Sequence, residues 1–262
     1  MKNVLKLALV QTPLIWEDPQ ANRNLLEEKI RGISKADIVV LPEMFTSGFT
    51  MNPQQVAESM QGETINWLLK LSQELQMAIC GSLVIEEDEN YYNRLVFVEP
   101  TGQITHYDKR HTFTLAGEDK VYQKGTEKVI IHYEGWNICP LICYDLRFPV
   151  WARNTENYDV LLYVANWPKP RVNAWDALLK ARAIENMSYC VGVNRVGTDA
   201  NELEYSGHSA TYDSLGKTIV DLVDAEEAIK VVELHKNHLS ETRNKLRFLN
   251  DKDDFNLIIQ TL

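Results

Sequence analysis

The stretch Ile142-Cys-Tyr-Asp-Leu-Arg-Phe-Pro-Val150 opens on a cysteine at the end of an apolar run and then turns abruptly polar. The run before it, Trp136-Asn-Ile-Cys-Pro-Leu-Ile142, has the length and content of a buried strand. The pattern after it, Val150-Trp-Ala-Arg-Asn154, is helix-like. A nucleophile at such a corner projects its sulfur into a cleft and directs the next backbone N–H groups at a substrate oxygen. Two other segments end in the same manner. Val39-Val-Leu-Pro-Glu43-Met-Phe45 is an apolar strand ending in a carboxylate, and Tyr107-Asp-Lys109-Arg-His-Thr-Phe113 is a strand ending in an amine.

Working outward, strands and helices alternate. Strands are expected at 4–11, 37–41, 77–86, 91–99, 104–107, 160–164, 189–194, 208–213, 218–223 and 228–234, with a hairpin of 128–132 and 136–143 around Glu134-Gly135. Turns fall at Ser214-Leu-Gly and Asp224-Ala-Glu. Residues 19–33 have helical spacing, with Asp18 as N-cap and Pro19 at the first helical position. Residues 64–76 form an amphipathic helix with Ile65, Leu68, Leu69, Leu71 and Leu75 on one side. Helices also fit 172–187 and 235–248. Mixed order of this kind predicts a layered α/β or α+β domain. No Gly/Ser or Pro linker, low-complexity tract or solenoid-length repeat divides the chain. One domain over 1–262 is expected, its last helix and tail beginning at about 235.

Composition excludes several classes. Asp and Glu number 37 against 27 Lys and Arg, a net charge of −10, which argues against a nucleic-acid partner. No apolar run reaches membrane-spanning length, so no membrane is expected. The apolar start is broken by Gln11 and Thr12 and reads as a first core strand rather than a leader. The four cysteines, Cys80, Cys139, Cys143 and Cys190, are scattered and form no disulfide framework, which suits a reducing cytoplasm. Cys139 and Cys143 lack zinc spacing and a His/Cys pair, so no metal is expected.

The Glu43, Lys109 and Cys143 segments, taken in that order, resemble the three motifs of the nitrilase superfamily of carbon–nitrogen hydrolases over nearly the whole chain. Tyr163-Val-Ala-Asn-Trp167-Pro-Lys-Pro-Arg171, then Trp175 and Ala181-Arg-Ala-Ile-Glu-Asn186, resemble its omega-amidase branch. The resemblance implies a four-layer αββα sandwich of two mixed sheets flanked by helices. It implies a cofactor-free amidohydrolase releasing ammonia from small omega-amides, with 2-oxoglutaramate and 2-oxosuccinamate as substrates. It also implies a homodimer or larger homo-oligomer, to which Phe148-Pro-Val-Trp151 would contribute. A nitrilase or an N-carbamoyl amino acid hydrolase of the same superfamily is the alternative; a binding module that has lost catalysis is a third reading.

A lone cysteine is most often an inert buried side chain. The strand-end position of Cys143 favours a nucleophile, whereas Cys80, Cys139 and Cys190 lack such flanks. Glu43, at the end of an apolar strand where a carboxylate is unfavourable without purpose, is the expected general base and later acid. Lys109 is the expected oxyanion stabiliser and is expected to help hold Cys143 as a thiolate; the residues alone do not separate it from Arg110, and the resemblance selects it. The backbone N–H of Tyr144 is the expected second oxyanion donor. The resemblance also implies a second glutamate between the lysine and cysteine motifs, here Glu118 beside Asp119. Arg147 and Arg171 are candidates for a substrate carboxylate, and Trp167 and Phe45 for the walls of the pocket.

Overall fold

A computed structural model describes residues 2–222 and 225–257. The end of the strand expected at 218–223, the first residue of the Asp224-Ala-Glu turn and the last tail residues lie outside this range. In chain order the elements are β1 (Val4–Gln11), α1 (Pro19–Arg31), β2 (Ile38–Val40), α2 (Pro53–Val56), α3 (Glu63–Leu75), β3 (Ala78–Glu87), β4 (Asn90–Val98) and β5 (Ile104–Asp108). Then follow β6 (Ile131–Tyr133), β7 (Trp136–Ile142), α4 (Pro149–Ala152), β8 (Val160–Ala165), α5 (Val172–Asn186) and β9 (Tyr189–Asn194). The chain closes with β10 (Val196–Thr198), β11 (Glu204–Ser206), β12 (Ser209–Tyr212), β13 (Thr218–Leu222), β14 (Ala228–His235) and α6 (Lys236–Leu246).

Two 6-stranded sheets result, ordered β14-β1-β2-β3-β4-β5 and β13-β12-β9-β8-β7-β6. Each is mixed: β1–β2 and β2–β3 are parallel in the first, β7–β8 and β8–β9 in the second, and the remaining ladders are antiparallel. The sequence explains the layering. Along β1, Leu5, Leu7 and Leu9 enter the core shared with the second sheet, while Ala8 and Val10 meet the helices outside. Along β2, Ile38 and Val40 face inward and Val39 and Leu41 outward. Strands covered on both faces must be apolar throughout, which is why these segments show no alternation. Helices α1 and α3 cover the first sheet, and α5 packs on β9 and β12 of the second. The four-layer arrangement is therefore the one the resemblance implied.

Helix α1 starts where expected, the Asp18 carboxylate accepting from the Ala21 N–H at 2.9 Å. The buried Asn22 on this helix donates to the carbonyls of Ile15 and Thr46 (2.6 and 2.8 Å), fixing the loop that carries Glu43. Helix α5 buries Trp175, Leu179, Arg182, Ala183 and Asn186 on one face. Gly192 on β9 permits that approach, since a Cβ there would lie 2.5 Å from Leu179 and 2.7 Å from Trp175. Among the described residues no helix is long and apolar enough to cross a membrane.

Three local expectations change. The helix-like pattern after Cys143 is only one turn, α4, because Arg153 turns to extended backbone. The strand expected from 128 begins at Ile131. The β10–β11 hairpin, short and charged, carries too brief an alternation to be read from the sequence.

Candidate active site

The site gathers at the ends of β2, β5, β7 and β8. Two of those ends are sharply bent: Met44, directly after Glu43, has φ 43°, and Cys143 has φ 42°. Non-glycine residues in this region cost on the order of 1–3 kcal/mol and persist where surrounding contacts dictate them. At Cys143 the bend starts a 3₁₀ turn, Cys143–Arg147, whose first N–H groups have no acceptor within the turn. The Tyr144 N–H is among them.

Glu43 is wholly buried. Its Oε1 accepts from Lys109 Nζ and from Asn93 Nδ2, both at 2.8 Å. Its Oε2 accepts from the Asn166 backbone N–H at 2.7 Å, and its backbone carbonyl from Asn166 Nδ2 at 2.6 Å. The Cys143 thiol lies near enough to this carboxylate to feel its charge. Glu118, equally buried, takes Lys109 Nζ on both oxygens (3.0 and 2.9 Å), Asn93 Nδ2 at 3.2 Å, and the Phe113 N–H. Neighbouring Asp119 is exposed, so the glutamate of this pair meets the lysine. Arg110 turns away, donating to the Gly125 carbonyl at 3.1 Å with its guanidinium over Trp151.

The charges are set by this packing. Burial alone would favour a neutral Lys109 amine, but the carboxylates of Glu118 and Glu43 outweigh it and hold the ammonium well above the usual lysine range. Burial raises Glu118 above the usual carboxylate range, with Lys109 pulling the other way. Burial and the Glu43 carboxylate push the Cys143 thiol well above its usual value, against the pull of Lys109. The direction of this shift favours the neutral thiol at Cys143, against the thiolate that the lysine alone would favour. An ammonium has three donors. Glu43 takes one of them, and the two Glu118 oxygens can share a second, so the third can turn to an incoming oxyanion.

Cys143, Lys109, Tyr144 and Asn166 line a cavity of about 360 Å³. Its wall also carries Trp167, Arg147, Phe113 and Arg171. The Arg147 guanidinium lies 4.9 Å from the Trp167 ring centre, and that of Arg171 lies 5.2 Å from Phe113. Trp167 Nε1 donates to the Arg171 carbonyl at 2.8 Å. Among the described residues neither guanidinium meets a carboxylate. Arg147 is exposed and Arg171 half-buried. Asp199 also lines the cavity, but its carboxylate is occupied by the Asn201 and Leu203 N–H groups and the Tyr205 hydroxyl.

Phe45 must be corrected. It is wholly buried in the core beneath the first sheet, its ring 6.4 Å from Trp67, and is absent from the cavity. The left-handed Met44 turns the chain so that Phe49 instead lines the cavity, 5.1 Å from Lys109 Nζ. Sequence reading also missed Asn93 and Asn166. Asn166, directly after the apolar run of β8, carried a legible signal; Asn93, beside Arg94 in the polar first half of β4, carried none. Cys80, Cys139 and Cys190 are buried in the core, and burial pushes the Cys139 thiol up to about 12. Among the described residues no group of three or more His, Cys, Asp or Glu is arranged to hold a metal ion.

Two mixed sheets flanked by helices thus enclose a buried Glu–Lys–Glu–Cys cluster beside a small cavity. Residues 6–244 match the model of the carbon–nitrogen hydrolase family, and the chain belongs to that family. It is 45% identical over 255 residues to omega-amidase YafV of Escherichia coli K12, covering 97% of this chain and 98% of that protein. It is 32% identical over 251 residues to the 2-oxoglutaramate amidase of Bacillus subtilis, covering 94% and 96%. Among solved structures it resembles XC1258 of Xanthomonas campestris, a CN-hydrolase superfamily protein with an arsenic adduct in its active site. The TM-score is 0.95 and the identity 38%, over 98% of this chain and 100% of that one.

Proposed function

We propose that this enzyme is an omega-amidase, hydrolysing the terminal carboxamide of small keto-dicarboxylic acid monoamides such as 2-oxoglutaramate and 2-oxosuccinamate through a thioester on Cys143. The observation that carries the reading is the pair of guanidiniums over aromatic rings, Arg147 and Arg171, lining the same cavity as Cys143 with no carboxylate partner among the described residues. A planar guanidinium suits the far carboxylate of such a substrate. The cavity, near the small end of ligand sites, suits a short acyl chain. The names of the similar E. coli and B. subtilis proteins point to the same chemistry.

In this mechanism Glu43 takes the thiol proton as Sγ attacks the carboxamide carbon. Lys109 and the Tyr144 N–H receive the oxyanion, and each such donor is worth roughly 100–1,000-fold. Glu43 returns the proton to the leaving nitrogen, the C–N bond breaks, and ammonia departs. Water, losing a proton to Glu43, then attacks the thioester; the acid leaves and the thiol is restored. Glu118 positions Lys109. The amide, water and these side chains account for every proton and electron pair, so the sequence of steps calls for no cofactor.

We place the enzyme in the cytoplasm as a single-domain homodimer, two-fold pairing being the commonest oligomer, with the exposed Val150 on α4 contributing to the contact. A monomeric mass by light scattering at micromolar protein would refute the dimer. Ammonia release across keto-acid monoamides, neutral amides, nitriles and N-carbamoyl amino acids tests the activity. The highest kcat/KM is expected on the keto-acid monoamides. Preference for a nitrile or carbamoyl compound would move the enzyme to another branch, and no turnover with no labelling of Cys143 would make it a binding module.

A further inference from the structure

We infer that Asp145 is a positioning residue that sets Lys109 and Cys143 against each other through a single buried carboxylate. The inference rests on Cys143 being the nucleophile. Asp145 is fully buried and accepts four hydrogen bonds. Its Oδ1 receives the His111 backbone N–H at 2.9 Å and His111 Nδ1 at 2.8 Å. Its Oδ2 receives the Tyr107 hydroxyl at 2.8 Å and the Ile142 N–H at 3.0 Å.

These donors bracket the chemistry. Tyr107 and His111 lie on either side of Lys109, and Ile142 and Asp145 on either side of Cys143. The bond from Ile142 closes the turn over the nucleophile and so helps hold its left-handed backbone. The bonds from Tyr107 and His111 fix the segment from which the Lys109 amine reaches the same point. None of the three side chains lines the cavity. A carboxylate only accepts, so His111 carries its hydrogen on Nδ1. The imidazole is further held flat on Phe148, with centroids 3.7 Å apart and planes 5° apart, and the Phe148 N–H returns to the Asp145 carbonyl at 3.0 Å. The Tyr107 hydroxyl in turn accepts from Trp151 Nε1 at 3.0 Å and the Arg110 N–H at 3.2 Å. A buried carboxylate is tolerated only when its lone pairs are occupied. Here they are occupied by donors from the two catalytic segments.

Substitution by Asn keeps the shape but replaces one accepting oxygen with a donor, which must then face a donor. The Sγ–Nζ geometry should loosen. A displacement of about 1 Å far from the chemistry can cost on the order of 100-fold. The test is kcat and KM on a keto-acid monoamide, with thermal melting, for Asp145→Asn, His111→Asn and His111→Phe, and Cys143→Ala as control. Asn at 111 can donate as Nδ1–H does but loses the ring; Phe keeps the ring but loses the bond. Asp145→Asn is expected to lose roughly 100-fold in kcat with KM within about 2-fold. His111→Phe is expected to lose about 10-fold, as for one hydrogen bond to a charged group, and His111→Asn to retain most activity. Asp145→Asn turning over at the wild-type rate, or raising KM alone, overturns the inference. So does His111→Phe outperforming His111→Asn, and that pair decides alone if Asp145→Asn does not fold. Turnover by Cys143→Ala would instead sink the nucleophile assignment, a failure separate from that of the clamp.

Discussion

The two ends of the cavity are built on opposite terms. At the Glu43 end the protein meets its own polar atoms: both carboxylate oxygens and the backbone carbonyl of Glu43 accept hydrogen bonds from Lys109, Asn93 and Asn166. At the Arg147–Arg171 end the guanidiniums are held by rings alone and, among the described residues, have no carboxylate partner. A base and an oxyanion donor work best when fixed before the substrate arrives. A recognition group works best when its donors are left for the substrate to satisfy. In the proposed mechanism, this contrast puts bond-breaking at one end and selection at the other.

The comparison can be broken most severely at the first end. Cys143→Ala, Glu43→Gln and Lys109→Ala should each lower kcat on the order of 10⁴-fold or more while far-UV dichroism stays native, and double variants should lose little beyond the single ones, because the residues act as a unit. Additive losses in ammonia release would mean that they do not. Phe45 sharpens the boundary between site and core. Phe45→Ala should destabilise by about 3–5 kcal/mol in denaturant unfolding, yet leave unchanged the ratio of kcat/KM between a keto-acid monoamide and a neutral amide. A shifted ratio would return Phe45 to the pocket. The smallest effect belongs to the exposed Lys169–Glu204 pair, 2.9 Å apart, which ties the β10–β11 hairpin to the segment before α5. Glu204→Gln should change stability by no more than about 0.5 kcal/mol, and a larger loss would mean that the hairpin is held mainly by this contact.

What could be read beforehand follows the same division. Strand ends carrying Glu43 and Cys143 were legible because a charged or nucleophilic side chain closing an apolar run is out of place in a core, whereas Lys109 follows the polar strand Ile104–Asp108 and only the resemblance separated it from Arg110. The layers followed from runs buried on both faces, although the pairing of two sheets came from the resemblance and not from periodicity. The second half of the site was harder. Arg182, read only as part of a branch motif, reaches from α5 to the Leu146 carbonyl at 2.7 Å and braces the nucleophile turn. Asn93 and Asn166 act through hydrogen bonds across the fold, which no local pattern encodes. Phe45 was misplaced because the direction of the chain after Glu43 depends on the φ of Met44, and a methionine gives no sign of a left-handed turn. Burial also works against the thiolate expected at Cys143, a balance that depends on neighbours distant in sequence.

Selection at the arginine end is tested most directly by one kinetic comparison. Arg171 is half-buried and Arg147 exposed, so Arg171 should hold the substrate carboxylate more strongly. The measurement is kcat/KM for 2-oxosuccinamate and for a neutral short amide, in the wild-type enzyme and in Arg171→Ala. A charge pair desolvated on binding is worth about 2–5 kcal/mol, and the partial exposure of Arg171 favours the lower figure. The keto-acid amide should therefore lose roughly 30-fold more than the neutral amide. Equal losses on both substrates would contradict the assignment of Arg171 to the carboxylate.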